Sequence, residues 1–113
     1  MLFSKAIEGF ILHAKSGIYS RAHIPTMHGY LKYLCKYLED PGIETIKPED
    51  LNRYMTHLHT EYQPKRFNGD KSPLSLSSID NHWKTIRGFF NWTVEVVELK
   101  DRPDLKLQRP KYE

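Results

Sequence analysis

The sequence predicts an all-α protein, a single four-helix bundle, and three observations lead there. Apolar residues recur at three- and four-residue spacing in four separate stretches, the pattern of helices that each bury one face. Helix-breaking residues gather between those stretches, at Gly17, Pro41-Gly42 and Asn68-Gly69, so the connections are short. With 113 residues, 39% hydrophobic and 27% charged, the chain suits one modest core rather than a disordered tail.

The first helix is predicted over Phe3 to Lys15, where Ile7, Phe10, Ile11 and Ala14 form an i, i+3, i+4, i+7 stripe, and Gly17 stops it. Pro25 suits the first turn of the second helix, because the N–H it lacks has no partner there, and Met27, Tyr30, Leu31, Leu34 and Leu38 supply the buried stripe up to Asp40-Pro41-Gly42. Lys47-Pro48-Glu49-Asp50 starts the third helix by the same logic, with two acids at the positive end of its dipole and Leu51, Tyr54, Met55 and Leu58 facing inward. The stretch from Gln63 to Pro73 carries Lys65, Arg66 and Lys71 and reads as a basic loop, with a short Asn-Gly hairpin as the alternative. Ser75, Ser77 and Ser78 offer cap oxygens for a long fourth helix running to about Leu99, ended by Arg102-Pro103. Its apolar stripe is Ile79, Trp83, Ile86, Phe90, Val94 and Val97, with Asn81, Thr85 and Gly88 opposite. Residues 104–113 read as an extended linker beyond a domain of residues 1–103.

No apolar run approaches the roughly 20 residues of a membrane helix, and Gly9 to Ala14 lacks the flanks of a signal peptide, which gives a cytoplasmic expectation and no membrane partner. Cys35 is the only cysteine, and in an apolar helix it reads as inert packing. The net charge of +3 permits nucleic-acid binding without demanding it. Placement says more. Arg21, His23, His28, Lys32 and Lys36 follow the second helix, and Lys84 and Arg87 mark the fourth. Acids collect at Glu39-Asp40, Glu49-Asp50 and between Glu95 and Glu98, which suggests a basic face and an acidic back.

Ser78-Ile79, Ile86-Arg87 and Phe89-Phe90-Asn91-Trp92 together resemble the last long helix of the core-binding domain of tyrosine recombinases, the phage-integrase and Xer-type strand-exchange enzymes. Thr26-x-x-x-Tyr30-x-x-x-Leu34-x-x-Tyr37-Leu38 is similar to that domain's second helix, and Leu107-Gln108-Arg109-Pro110-Lys111 to the segment leading toward the catalytic domain. The resemblance covers nearly the whole chain. It implies a SAM-like four-helix bundle that binds double-stranded DNA during recombination and integration, is a monomer on its own, and meets other recombinase protomers on DNA. Two departures stand out: Ile18 to Pro25 is longer than the usual link, and Arg102-Pro103 stands where Asn-Pro is common.

The resemblance implies that the second and fourth helices approach DNA, where Lys and Arg neutralise phosphates and small polar side chains reach phosphate oxygens or base edges. The candidates are Thr26, His28 and Lys32 on the second helix, and Ser77, Ser78, Asn81, Lys84, Thr85, Arg87 and Asn91 on the fourth. Arg21 would be an additional contact, and Lys65, Arg66 and Lys71 would add backbone contacts from the loop, with a solvated insertion as the alternative there. Lys84 and Thr85 form the leading pair. Asn81 has the chemistry to read adenine and Arg87 guanine, although phosphate contacts carry most of the grip.

Metal binding is not expected: His57 and His59, two apart on a helix, point in different directions and no further ligand completes the set. No cofactor is called for. The aromatic residues Trp83, Phe89, Phe90, Tyr30 and Tyr37 read as packing rather than as a single-strand platform, and Trp92, on the polar side, needs cover from another segment or a partner. No stretch matches the family's arginine-containing motifs or His-x-x-Arg, so no catalytic residue is nominated and any enzymatic chemistry belongs to another domain. The competing reading, a helical protein-interaction module without DNA affinity, differs by predicting binding insensitive to salt.

Overall fold

The computed structural model describes residues 1–60, 75–105 and 107, and over these it is all-α. Helix α1 is Phe3–His13, α2 is Ile24–Tyr37, α3 is Pro48–Thr60 and α4 is Leu76–Val96. The basic segment with Lys65, Arg66, Phe67 and Lys71 lies outside the described residues. No described helix is long and apolar enough to cross a membrane.

Local chemistry places most helix ends. Pro25 sits in the first turn of α2 and Pro48 is the first residue of α3, where a missing N–H costs nothing. Ser75 caps α4, its hydroxyl oxygen accepting from the Ser78 N–H at 3.2 Å, so of the three serines it is the first that serves. Gly17 ends the first helical segment at φ 110°, although the regular α-helix closes at His13 and a π-helical turn, Ala14–Ile18, carries the chain to the glycine. Helix α4 stops at Val96 rather than near Leu99, because Glu98 takes a left-handed conformation at φ 57°.

Helix α2 ends in a paired turn: the Asp40 N–H donates to the Cys35 carbonyl at 2.9 Å and the Glu39 N–H to Lys36 at 3.2 Å. Glu39 and Asp40 both have positive φ there. The turn aims Asp40 at the start of α1, where Leu2 supplies no side-chain cap. Asp40 accepts from the Ser4 N–H at 2.9 Å and the Ser4 hydroxyl at 2.8 Å, so a carboxylate 36 residues away satisfies an orphan donor of the first turn. The same Ser4 N–H bond is the largest cause holding the Asp40 carboxyl below its usual range. Phe3 N–H to Pro41 O and Ile43 N–H to Met1 O complete the attachment.

The core collects around Phe89 of α4. Its ring stacks on Phe3 at 5.3 Å and meets Phe10 and Phe90 edge-on at 5.6 and 5.1 Å. Ile7, Leu31, Leu34, Leu51, Leu58 and Ile86 fill the space around these rings. Trp92 finds its cover on α1, lying over Gly9, where an added Cβ would come within 2.9 Å of the indole. Cys35 is half-buried, and burial pushes its thiol up to about 11, which keeps it protonated and unreactive.

Glu39 holds a left-handed conformation that glycine adopts without a Cβ penalty, and its side chain is exposed. Glu39→Gly is expected to stabilise the fold by roughly 1 kcal/mol, seen as a higher urea midpoint at unchanged m-value.

Candidate nucleic-acid interface

The buried arc of α4 is wider than the sequence stripe and turned toward His82, Thr85, Phe89 and Thr93, all buried. Helix α4 has neighbours on several sides: α1 through Phe3 and Phe10, α2 through Tyr30, and α3 through Tyr54. Two polar residues are therefore enclosed. Thr85 Oγ1 donates to the Asn81 carbonyl at 2.9 Å, and His82 Nδ1 shares a 3.3 Å hydrogen bond with the Tyr54 hydroxyl while its ring stacks on Tyr30 at 3.8 Å. Thr85 is only 5% exposed, which removes it from the outer surface and corrects the expectation that paired it with Lys84.

What α4 does present outward is a stripe at helical spacing, Ser77, Asn81, Lys84, Asn91 and Glu95, all exposed. Ser78 is half-buried, its hydroxyl 3.2 Å from that of Ser75. Lys84 reaches back to Asp80 at 3.4 Å, a carboxylate only 3% exposed, so part of its charge is spent within the helix. Asn91 Oδ1 accepts from Arg102 at 2.7 Å.

Arg87 is committed elsewhere. Its Nη2 donates to the Asp104 carbonyl at 3.2 Å, and its Nε lies 3.0 Å from Asp104 Oδ2 in an ion-pair contact too poorly aligned for a hydrogen bond. Its guanidinium also covers the Trp83 ring at 4.9 Å. Arg102 grips the same carboxylate with two bonds of 2.9 and 2.8 Å, and that bonding raises the Arg102 pKa. Asp104 is fully buried and Leu107 nearly so, with the Trp83 indole N–H donating to the Leu107 carbonyl at 3.0 Å. The expected extended linker therefore does not begin at Asp104. Asp104 and Leu107 bond to Arg87 and Trp83 of α4, so folded structure continues past the boundary expected after residue 103.

On α2, Thr26 and Lys32 are exposed and His28 is half-buried; Arg21 and His23 are exposed in the link before it. The His28 pKa is lowered, first by burial, then by the charges of Lys32 and of Lys15 from the π-helical turn. Cations from two elements thus act on His28, and among the described residues neither lysine is in an ion pair. Lys15 was not a candidate from sequence, since nothing in a helix-end lysine signals a neighbour in the next helix. The stack of Tyr30 on His82 sets α2 and α4 side by side. Among the described residues no cluster of His, Cys, Asp and Glu could hold a metal ion. Comparison with protein-family models, curated proteins and solved structures finds no match to the chain.

Two outcomes follow from these buried groups. Burial lowers the His82 pKa from 6.5 to about 4, so the unfolded chain takes up a proton there before the folded one does. Stability is therefore expected to fall as pH drops from 6.5 to about 4, by roughly 3 kcal/mol from this group, and to be independent of it above pH 6.5. Urea midpoints across that range should show the slope in the native chain and lose it in His82→Gln. Breaking a fully buried ion pair costs about 3–5 kcal/mol. Because Arg87 and Arg102 remain partly in water, Asp104→Asn is expected to cost about 2 kcal/mol in the same assay.

Proposed function

We propose that this chain is a non-catalytic helical domain that grips double-stranded DNA mainly through its phosphates, as the resemblance to the core-binding domain of tyrosine recombinases implies. The reading is supported by Lys15 and Lys32, exposed cations that both repel the charged form of His28 and are in no ion pair among the described residues. A protein bears that repulsion at little benefit to its own fold, whereas an anionic backbone relieves it. Ser77, Asn81, Lys84 and Asn91 give α4 an exposed row of short polar and cationic side chains suited to phosphate oxygens. Thr26 adds a hydroxyl on α2. Thr85 and Arg87 hold the helix in place rather than touch DNA, and strand breakage and joining would belong to a separate domain.

If Lys15, Lys32 and Lys84 neutralise about three phosphates, affinity for a mixed-sequence duplex falls roughly 40-fold between about 50 and 200 mM salt. Fluorescence anisotropy at several salt concentrations checks this, with Lys32→Gln reducing both affinity and salt slope. A phosphate beside His28 favours its charged form, so the duplex should raise the His28 pKa and bind more tightly as pH falls through the histidine range. Absence of duplex affinity at low salt would overturn the reading and leave the protein-interaction module in its place.

A further inference from the structure

A second feature lies between α2 and α3, away from the outward row on α4 and sharing only Lys32 with the duplex reading. A cavity of about 500 Å³ is lined by Lys32, Tyr33, Lys36, Tyr37 and His57. Its volume falls within the roughly 300–1,000 Å³ of small-molecule sites. The aromatic wall is held in place: the Tyr33 hydroxyl lies 2.7 Å from His57 Nε2, the Tyr37 ring stacks on His57 at 4.9 Å with planes 29° apart, and both tyrosines rest on buried Tyr54 at 5.9 and 5.4 Å. Lys32 and Lys36, one turn apart on α2, stand at the rim, both exposed and neither ion-paired among the described residues.

Flat aromatic faces beside two ammonium groups suit a ligand with a planar ring at one end and an anion at the other. A neutral aromatic molecule would leave the lysines unused, and a bare anion would leave the ring wall unused. We propose that this cavity takes a single unpaired nucleotide, its base against the Tyr37 ring that His57 backs and its phosphate between Lys32 and Lys36. The nucleotide has two sources of the same chemistry, a free mononucleotide or the splayed end of a single strand.

The test is an amide NMR titration of the intact chain with adenosine monophosphate, with a 5′-phosphorylated single strand of about six nucleotides, and with inorganic phosphate. Shifts confined to residues 32–37 and His57 are expected with at least one of the first two. Equal response to both assigns a free nucleotide, and response to the strand alone assigns a strand end. Lys36→Gln and Tyr37→Leu, whose spectra otherwise report an intact fold, should each weaken binding, Tyr37→Leu by roughly tenfold. No shifts, equal affinity for inorganic phosphate, or unchanged affinity in both variants would overturn the proposal. The inference shares Lys32 with the duplex reading, so the two are told apart by Lys36, Tyr37 and His57, which only the cavity uses, and by the α4 row, which only the duplex should shift.

Discussion

Everything else in the molecule depends on how α4 is turned within the bundle, and two side chains fix that rotation. Phe89 is seated between Phe3 and Phe10 of α1, and His82 between Tyr30 of α2 and Tyr54 of α3. One is apolar and tolerates small rotations; the other is polar, and its hydrogen bond to Tyr54 specifies an angle. Burial of a neutral imidazole has a conformational consequence as well as an energetic one. With His82 inside, Asn81 and Lys84 face outward and Trp83 and Arg87 turn to the side that the segment after α4 covers.

Two carboxylates complete the bundle by reaching across it. Asp40, at the end of α2, supplies the cap that α1 does not have, and Asp104, beyond α4, draws Arg87 and Arg102 onto one buried point. Each uses charge to close a terminus that apolar packing leaves open. The two differ in strength of enclosure: Asp104 is fully buried and held by two guanidinium groups, while Asp40 sits in a turn with left-handed backbone on either side of its own N–H. Charges that a sequence reading assigns to the surface are here structural. The cations left for a ligand are fewer than the sequence total suggests, and Lys15, Lys32 and Lys36 are among those in no ion pair within the described residues.

Features governed by neighbours in sequence were legible from sequence. Pro25, Pro48, Ser75 and Gly17 act on backbone groups within a turn of themselves, so four helices and their approximate ends could be read without the structure. The rotation of α4 was not legible, because a helix touched on several sides buries more than one stripe, and periodicity then marks only the most apolar part of the arc. Thr85 illustrates this: its hydroxyl is satisfied by the carbonyl one turn back, so it enters the interior while retaining the composition of a surface residue. Asp104 was missed for the opposite reason, since its partners lie 2 and 17 residues away and converge only once the chain has folded back. The DNA-facing assignments on Lys84 and Asn81 keep their exposure, whereas the guanine-reading role for Arg87 loses the free guanidinium it needs.

On the proposed DNA-binding reading, α4 offers DNA its outward row and not its flanks. This is tested most directly by mapping side-chain and amide NMR shifts along α4 during titration with a mixed-sequence duplex at low salt. Perturbation is expected at Ser77, Asn81, Lys84 and Asn91, with Trp83, Thr85 and Arg87 little changed. Shifts concentrated on Trp83 and Arg87, or none along α4, would contradict it.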